Sequence, residues 1–104
     1  MDITDTDSLQ KIQEYIWQKN IDRGFSEEPP EKKLVMLMEE SGELAKAIRQ
    51  AIGMGFSKTT ATTDIKEELA DVQIILLGLA STVGVDMLEA VRAKEKKNSE
   101  RSWK

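Results

Sequence analysis

Glu68 falls angularly between Ile65, Val72 and Ile75, on the apolar stripe of a strongly helical stretch. A carboxylate on a core-facing stripe is costly unless it is paired or bound to a cation. Any fold this chain adopts must therefore supply Glu68 with a partner. Two acidic segments offer one between them: Glu39-Glu40-Ser41-Gly42-Glu43 and Glu67-Glu68-Leu69-Ala70-Asp71. Glu40 with Glu43, and Glu68 with Asp71, stand three residues apart, one turn along a single helix face. Like charges at that spacing repel unless something positive lies between them. A divalent cation that takes oxygen ligands is the simplest such group. One Glu-Glu-x-x-Glu alone reads as a solvated helix face. Two acidic pairs, one of them on the core stripe of a very apolar helix, fit that reading poorly.

Composition narrows the chemistry further. The chain has 104 residues, enough for one domain with one modest core, and no Cys and no His. That removes disulfides, thiol nucleophiles, the usual zinc sites and His-based triads. It also removes the Glu-x-x-His pairs of di-iron bundles. Acid–base work is left to carboxylates, lysines, the tyrosine or metal-bound water. A net charge of −4 argues against nucleic acid as a bulk partner. Met1–Asp7 is acidic and polar and does not read as a signal peptide. The longest apolar run, Val72–Ala80, is too short to span a bilayer. The expectation is a cytoplasmic protein with no membrane and no nucleic-acid partner.

Periodicity predicts four helices. The first covers 8–22 on Leu9, Ile12 and Ile16, with Asp7 or Ser8 as N-cap. A loop at 23–30 holds Gly24, Phe25, Pro29 and Pro30. Pro30 opens a second helix to about Ile52. Its apolar face reads as Leu34, Leu37, Met38, Leu44, Ala45, Ile48 and Ile52, with Glu40 and Glu43 beside that stripe. Ser57–Thr63 reads as a polar loop, and Asp64 with Glu67 as a capping box opening a third helix to about Val83. From Val72 onward this helix is apolar nearly all round, so it should be the most buried. Gly84 ends it. Asp86 with Glu89 opens a fourth helix through about Ser99. The fold class is all-α: a four-helix bundle in one domain over 1–104, with 1–7 and 102–104 as flexible ends. The third helix is too apolar for so small a bundle to cover, which predicts an oligomer.

Four carboxylates from two antiparallel helices suit Mg²⁺ or Mn²⁺, hard ions that keep some waters and commonly serve phosphate substrates. Glu39 and Glu67 can orient or deprotonate a water; their plain alternatives are a surface residue and a helix cap. Lys94, Lys97, Asn98 and Arg101 can clamp polyphosphate oxygens, or simply answer the helix dipole. Lys32 and Lys33 can do the same from the second helix, or be ordinary surface lysines. Trp17, Phe25, Phe56 and Trp103 are the aromatics available to stack on a base, with Trp17 equally suited to a core or interface.

The two motifs resemble those of the MazG-like, all-α nucleoside triphosphate pyrophosphohydrolases. In this chain Glu39-Glu40-Ser41-Gly42-Glu43 is followed after 24 residues by Glu68-Leu69-Ala70-Asp71, and the chain ends in Lys94-x-x-x-Asn98-x-x-Arg101. The likeness covers roughly 8–103. It implies metal ligands at Glu40, Glu43, Glu68 and Asp71, with Glu39 assisting the metal–water network. It places Lys94, Asn98 and Arg101 near phosphates and sugar. It implies Mg²⁺-dependent cleavage between α- and β-phosphates in a dimer or a tetramer of paired dimers, clearing non-standard or surplus (deoxy)nucleotides. Relatives that prefer pyrimidines often carry Tyr four residues after the motif Asp, where this chain has Ile75. The other reading is a helical oligomer that binds a nucleotide or partner without cleaving it.

Overall fold

Four α-helices account for the described structure: α1 (Leu9–Asp22), α2 (Pro30–Met54), α3 (Thr59–Thr82) and α4 (Met87–Ser99). The computed structural model describes residues 3–54 and 59–101, the side chains of 54 and 59–63 excepted. Phe56, Trp103 and the outermost expected flexible residues lie outside it. Residues 3–7 are described: Asp7 Oδ2 accepts from Thr4 N at 2.7 Å and closes a turn ahead of α1.

The centre of the fold is the α2–α3 hairpin. On α2 the less exposed residues, Ser41 apart, are Lys33, Leu37, Glu40, Leu44, Ala47 and Ala51. Their spacing alternates between four and three, the seam of helices packed at a shallow angle. Ile65, Glu68, Val72, Ile75 and Leu79 repeat the same rhythm on α3. Ala47 and Ala51 are buried, and small residues there let the helices approach closely. Glu40 thus lies on the seam, not beside the apolar stripe as periodicity suggested. The expected stripe merged two parallel rows: Leu37 and Leu44 belong to the seam, while Met38 at 65% and Ile52 at 67% face outward with Leu34. Polar Lys33 and Glu40 occupying seam positions disguised the true row.

α3 begins at Thr59, five residues before the expected capping box, so Asp64 lies inside the helix. The threonines cost only tenths of a kcal/mol each against better helix formers, which continued backbone hydrogen bonding outweighs. α1 packs on the far side of α3, where Ile16, Leu77 and Ala80 form the driest part of the core. Gly78 permits this approach, since a Cβ there would stand 3.0 Å from Asn20 Nδ2. Gly84 takes φ +76°, and Val85 N donates back to Ala80 O at 2.8 Å. The chain then leaves α3 at 98°, and α4 packs across α1.

A buried glutamine, which apolar periodicity does not reveal, locks that corner. Gln13 Nε2 donates to Ser81 Oγ at 3.0 Å and Val85 O at 2.8 Å, and Gln13 Oε1 accepts from Met87 N at 2.9 Å. Ser8 caps α1 by accepting from Lys11 N, and Asp86 caps α4 by accepting from Leu88 N. Among the described residues no single helix is long and apolar enough to cross a membrane. α3 contains the fully buried Leu77, yet Leu69, Ile74 and Val83 on it stay about half exposed. The radius of gyration is 16.1 Å, against about 13 Å for a compact chain of this length.

Candidate metal centre

The hairpin brings Glu40 from α2 against Glu68 and Asp71 from α3. One carboxylate oxygen from each lies within 4.8 Å of the others. The seam dictates this. Glu40 and Glu68 are placed where an ordinary hairpin carries leucine, and Asp71 is one turn beyond Glu68 on the same helix. Glu68 is half-buried, and its Oε2 is buried with no hydrogen-bond partner. Burial pushes the Glu68 carboxyl above its ordinary value, and the charges of Glu40, Asp71, Glu43 and Glu67 push it further, in that order.

An oxygen buried without a partner normally costs stability. Here a cation held among the three carboxylates would satisfy it. Three converging carboxylates form a hard donor set that suits Mg²⁺, Mn²⁺ or Ca²⁺. Glu40, Glu68 and Asp71 fit such an ion. Glu43 is exposed one turn along α2 and is not among the converging three; it acts on Glu68 through its charge. Glu39 is exposed on α2, and Glu67 is exposed beside Glu68.

The remaining candidate residues are spread over the molecule. Trp17 is half-buried on α1 and lines a groove of about 300 Å³ with Gln10, Gln13, Ser81 and Val85. Ser81 is ten residues beyond Asp71, about 15 Å along the helix, so this groove lies at the other end of α3. Lys94, Asn98 and Arg101 belong to α4 and the residues just after it, the arm that turns across α1. Asn98 Nδ2 donates to Glu95 Oε2 at 3.4 Å. Within one chain these groups stand on a different arm from the carboxylates.

Lys32 and Lys33 are held within the chain. Lys32 Nζ is 2.6 Å from Glu28 Oε2. Lys33 is buried, not an ordinary surface lysine, and its Nζ donates to Phe25 O at 3.2 Å and Glu28 Oε1 at 3.3 Å. The hydrogen bond from Lys32 holds the Glu28 carboxyl below its ordinary value, against an opposing push from burial, and Lys33 adds to the lowering. The four- and five-residue spacings of Glu28-Lys32-Lys33 carried this signal in the sequence. The seam position of Lys33 did not stand out, because a lysine is not expected there.

A second pocket, about 170 Å³, opens between α2, α3 and the loop before α2. Asn20, Phe25, Met36, Ile74 and Ile75 are among its walls. Met36 is one turn before Glu40, and Ile75 one turn after Asp71.

Two comparisons bear on this site. Residues 28–104 match the family described as the MazG nucleotide pyrophosphohydrolase domain. A stretch of 36 residues is 56% identical to a protein of Cyanophage S-2L named dATP/dGTP diphosphohydrolase. That stretch is 35% of this chain and 34% of the phage protein, so the likeness spans about a third of each.

Proposed function

The chain belongs to the MazG nucleotide pyrophosphohydrolase family, and from that premise we propose that it hydrolyses nucleoside triphosphates to a monophosphate and pyrophosphate. The observation that carries this reading is the convergence of Glu40, Glu68 and Asp71 around a buried oxygen with no partner. These three residues hold Mg²⁺, with Mn²⁺ as a substitute, and Glu43 joins from the adjoining turn. A bound cation of this kind neutralises phosphate oxygens and acidifies a coordinated water. Glu39 or Glu67, each exposed and next in sequence to a motif carboxylate, orients the attacking water or accepts the proton it gives up. The water oxygen bonds to the α-phosphorus, the bond to the bridging oxygen breaks, and pyrophosphate leaves with that oxygen. The phage relative's name makes dATP and dGTP the first substrates to try. Clearing non-standard or surplus nucleotides in the cytoplasm is the role that such chemistry suits.

The test is a panel of nucleoside and deoxynucleoside triphosphates with Mg²⁺, scoring product identity. Pyrophosphate and monophosphate in equal amounts are expected. Orthophosphate with diphosphate would mean cleavage at the wrong bond, and no turnover of any triphosphate would leave only a binding protein.

We also propose that the protein works as a homo-oligomer, a dimer or a tetramer, with the whole of 1–104 forming one domain. The outward row of α2, with Leu34, Met38 and Ile52 at least half exposed, and the open radius of gyration support this. Assembly is then what carries Trp17, Lys94, Asn98 and Arg101 to the substrate. Replacing Met38 and Ile52 together with Glu should reduce the mass in sedimentation equilibrium to the 11.7 kDa of one chain. A wild-type protein that already sediments at one chain mass would refute the oligomer.

A stability measurement separates the carboxylates by pH. Glu68 has a raised value when folded, so its contribution is complete below the ordinary 4.5 and is lost as pH rises through the folded value. Glu28 has a lowered value, so its contribution is present above 4.5 and is lost as pH falls through its folded value. Without metal, the melting temperature should therefore fall on both sides of an optimum near the ordinary carboxylate range. Saturating Mg²⁺ should flatten only the upper side. A Mg²⁺ effect matched by equal ionic strength of NaCl would point to solvated charges.

A further inference from the structure

Lys33 is a buried cation on the helix that carries Glu40, and both its recorded partners, Phe25 O and Glu28 Oε1, are in the loop before that helix. The loop hangs between α1 and α2. Its start is fixed by Phe25 N, which donates to Asn20 O at 2.7 Å. Its end is fixed by Glu28 N, which donates to Phe25 O at 3.2 Å. Phe25 O therefore receives two donors, and the ammonium of Lys33 is the one that comes from a rigid helix. Phe25 itself is 47% exposed and forms one wall of the pocket one turn from the carboxylates. The opposite walls, Met36, Ile74 and Ile75, belong to α2 and α3. Arg23, Phe25 and Glu28 are the loop's share of a pocket otherwise built on the helices, and Lys33 ties that share to α2.

We propose that Lys33 is a positioning residue: with Glu28 it latches the 23–29 loop so that Phe25 closes the pocket in which the non-phosphate end of the substrate rests. This rests on the nucleotide reading above. At about 170 Å³ the pocket holds only part of a ligand, with most of its wall area apolar and Asn20, Arg23, Glu28 and Lys33 as its polar lining. A planar heterocycle suits these walls, while the polyphosphate extends toward Glu40 and Asp71. Lys33 and Glu28 also line the pocket, but the Lys33 ammonium is engaged by Phe25 O and Glu28 Oε1, so it acts on the substrate through Phe25. Glu28 has a second cation in Lys32 at 2.6 Å, which keeps the carboxylate in place while Lys33 pulls on the backbone.

The experiment compares wild type, Lys33→Met, Lys33→Arg and Glu28→Gln as full-length proteins with Mg²⁺. It measures steady-state dATP hydrolysis, calorimetric binding of α,β-imido-dATP, and amide hydrogen exchange of residues 24–28. Lys33→Met should raise KM, and the dissociation constant of the analogue, about tenfold, the worth of one charge-assisted hydrogen bond. kcat should stay within about twofold, since the latch is remote from the reacting phosphorus. Exchange at 24–28 should quicken in parallel, and Lys33→Arg should restore most of both. Glu28→Gln should move KM and exchange the same way by less, and it decides the matter if Lys33→Met does not fold. A KM increase without faster exchange would mean that Lys33 touches the substrate directly, and the latch falls. Faster exchange with unchanged KM and unchanged analogue binding would also overturn it. If wild type neither cleaves dATP nor binds its analogue, the nucleotide reading fails with the latch, whereas wild-type activity with insensitive variants sinks the latch alone.

Discussion

Glu68→Gln lowers kcat by roughly 10²-fold or more, the usual scale for losing one preorganised electrostatic group, and raises the melting temperature of the metal-free protein. The two effects have opposite signs because they come from one arrangement. Glu68 lies half-buried on the hairpin seam with Glu40 and Asp71 against it and an oxygen that has no hydrogen-bond partner. Without a cation, ionising Glu68 works against both burial and its neighbours' charge. Glutamine keeps the shape and removes the charge, so the hairpin relaxes. With Mg²⁺ the order reverses: wild type gains stability with metal concentration and the variant gains much less. Thermal melts of both proteins across a Mg²⁺ series, beside turnover assays, read both signs. A variant that melts lower than wild type without metal would show that the carboxylate is satisfied by something already in the fold.

Gln13→Ala destabilises the protein by about 3 kcal/mol, the sum expected for three hydrogen bonds at a mostly buried site. For a domain of this size that lowers the melting temperature by more than about 10 °C. Gln13 uses its full amide: two donated bonds to Ser81 and Val85 and one accepted from Met87. Removing it loosens the corner where α3 turns into α4, while α2 keeps its seam with α3. Metal binding should therefore survive at temperatures where the variant remains folded. Chemical denaturation with a Mn²⁺-binding assay on the same samples checks this. A loss under 1 kcal/mol would mean that water replaces the amide.

The helix count, the all-α class and both acidic motifs were legible from spacing alone, because amphipathic rhythm and motif register survive in a single sequence. The apolar row of α2 was not. Seam positions held by Lys33 and Glu40 look like surface residues to a periodicity argument, while Met38 and Ile52, which face outward in one chain, look like core. A row that stays exposed in one chain and a row buried within it carry the same apolar signature. The early start of α3 was hidden by threonines, whose weak propensity packing and backbone bonding override. The burial of Gln13 and of Lys33 escaped notice for a shared reason: a polar side chain is buried when particular partners meet it, and those partners come from distant or irregular parts of the chain. The motif glutamates were legible because their cost is visible on one helix, whereas the distance from Glu40 to Asp71 required the hairpin.

The most direct measurement is Mn²⁺ binding followed by electron paramagnetic resonance on wild type, Glu40→Gln and Asp71→Asn. Each substitution removes one carboxylate oxygen from a different helix of the same cluster. If one ion is shared across the hairpin, both variants lose affinity together by tenfold or more, and the double variant loses little beyond the tighter single loss. Undiminished Mn²⁺ affinity in either variant, or independent additive losses, would contradict a single centre built from α2 and α3.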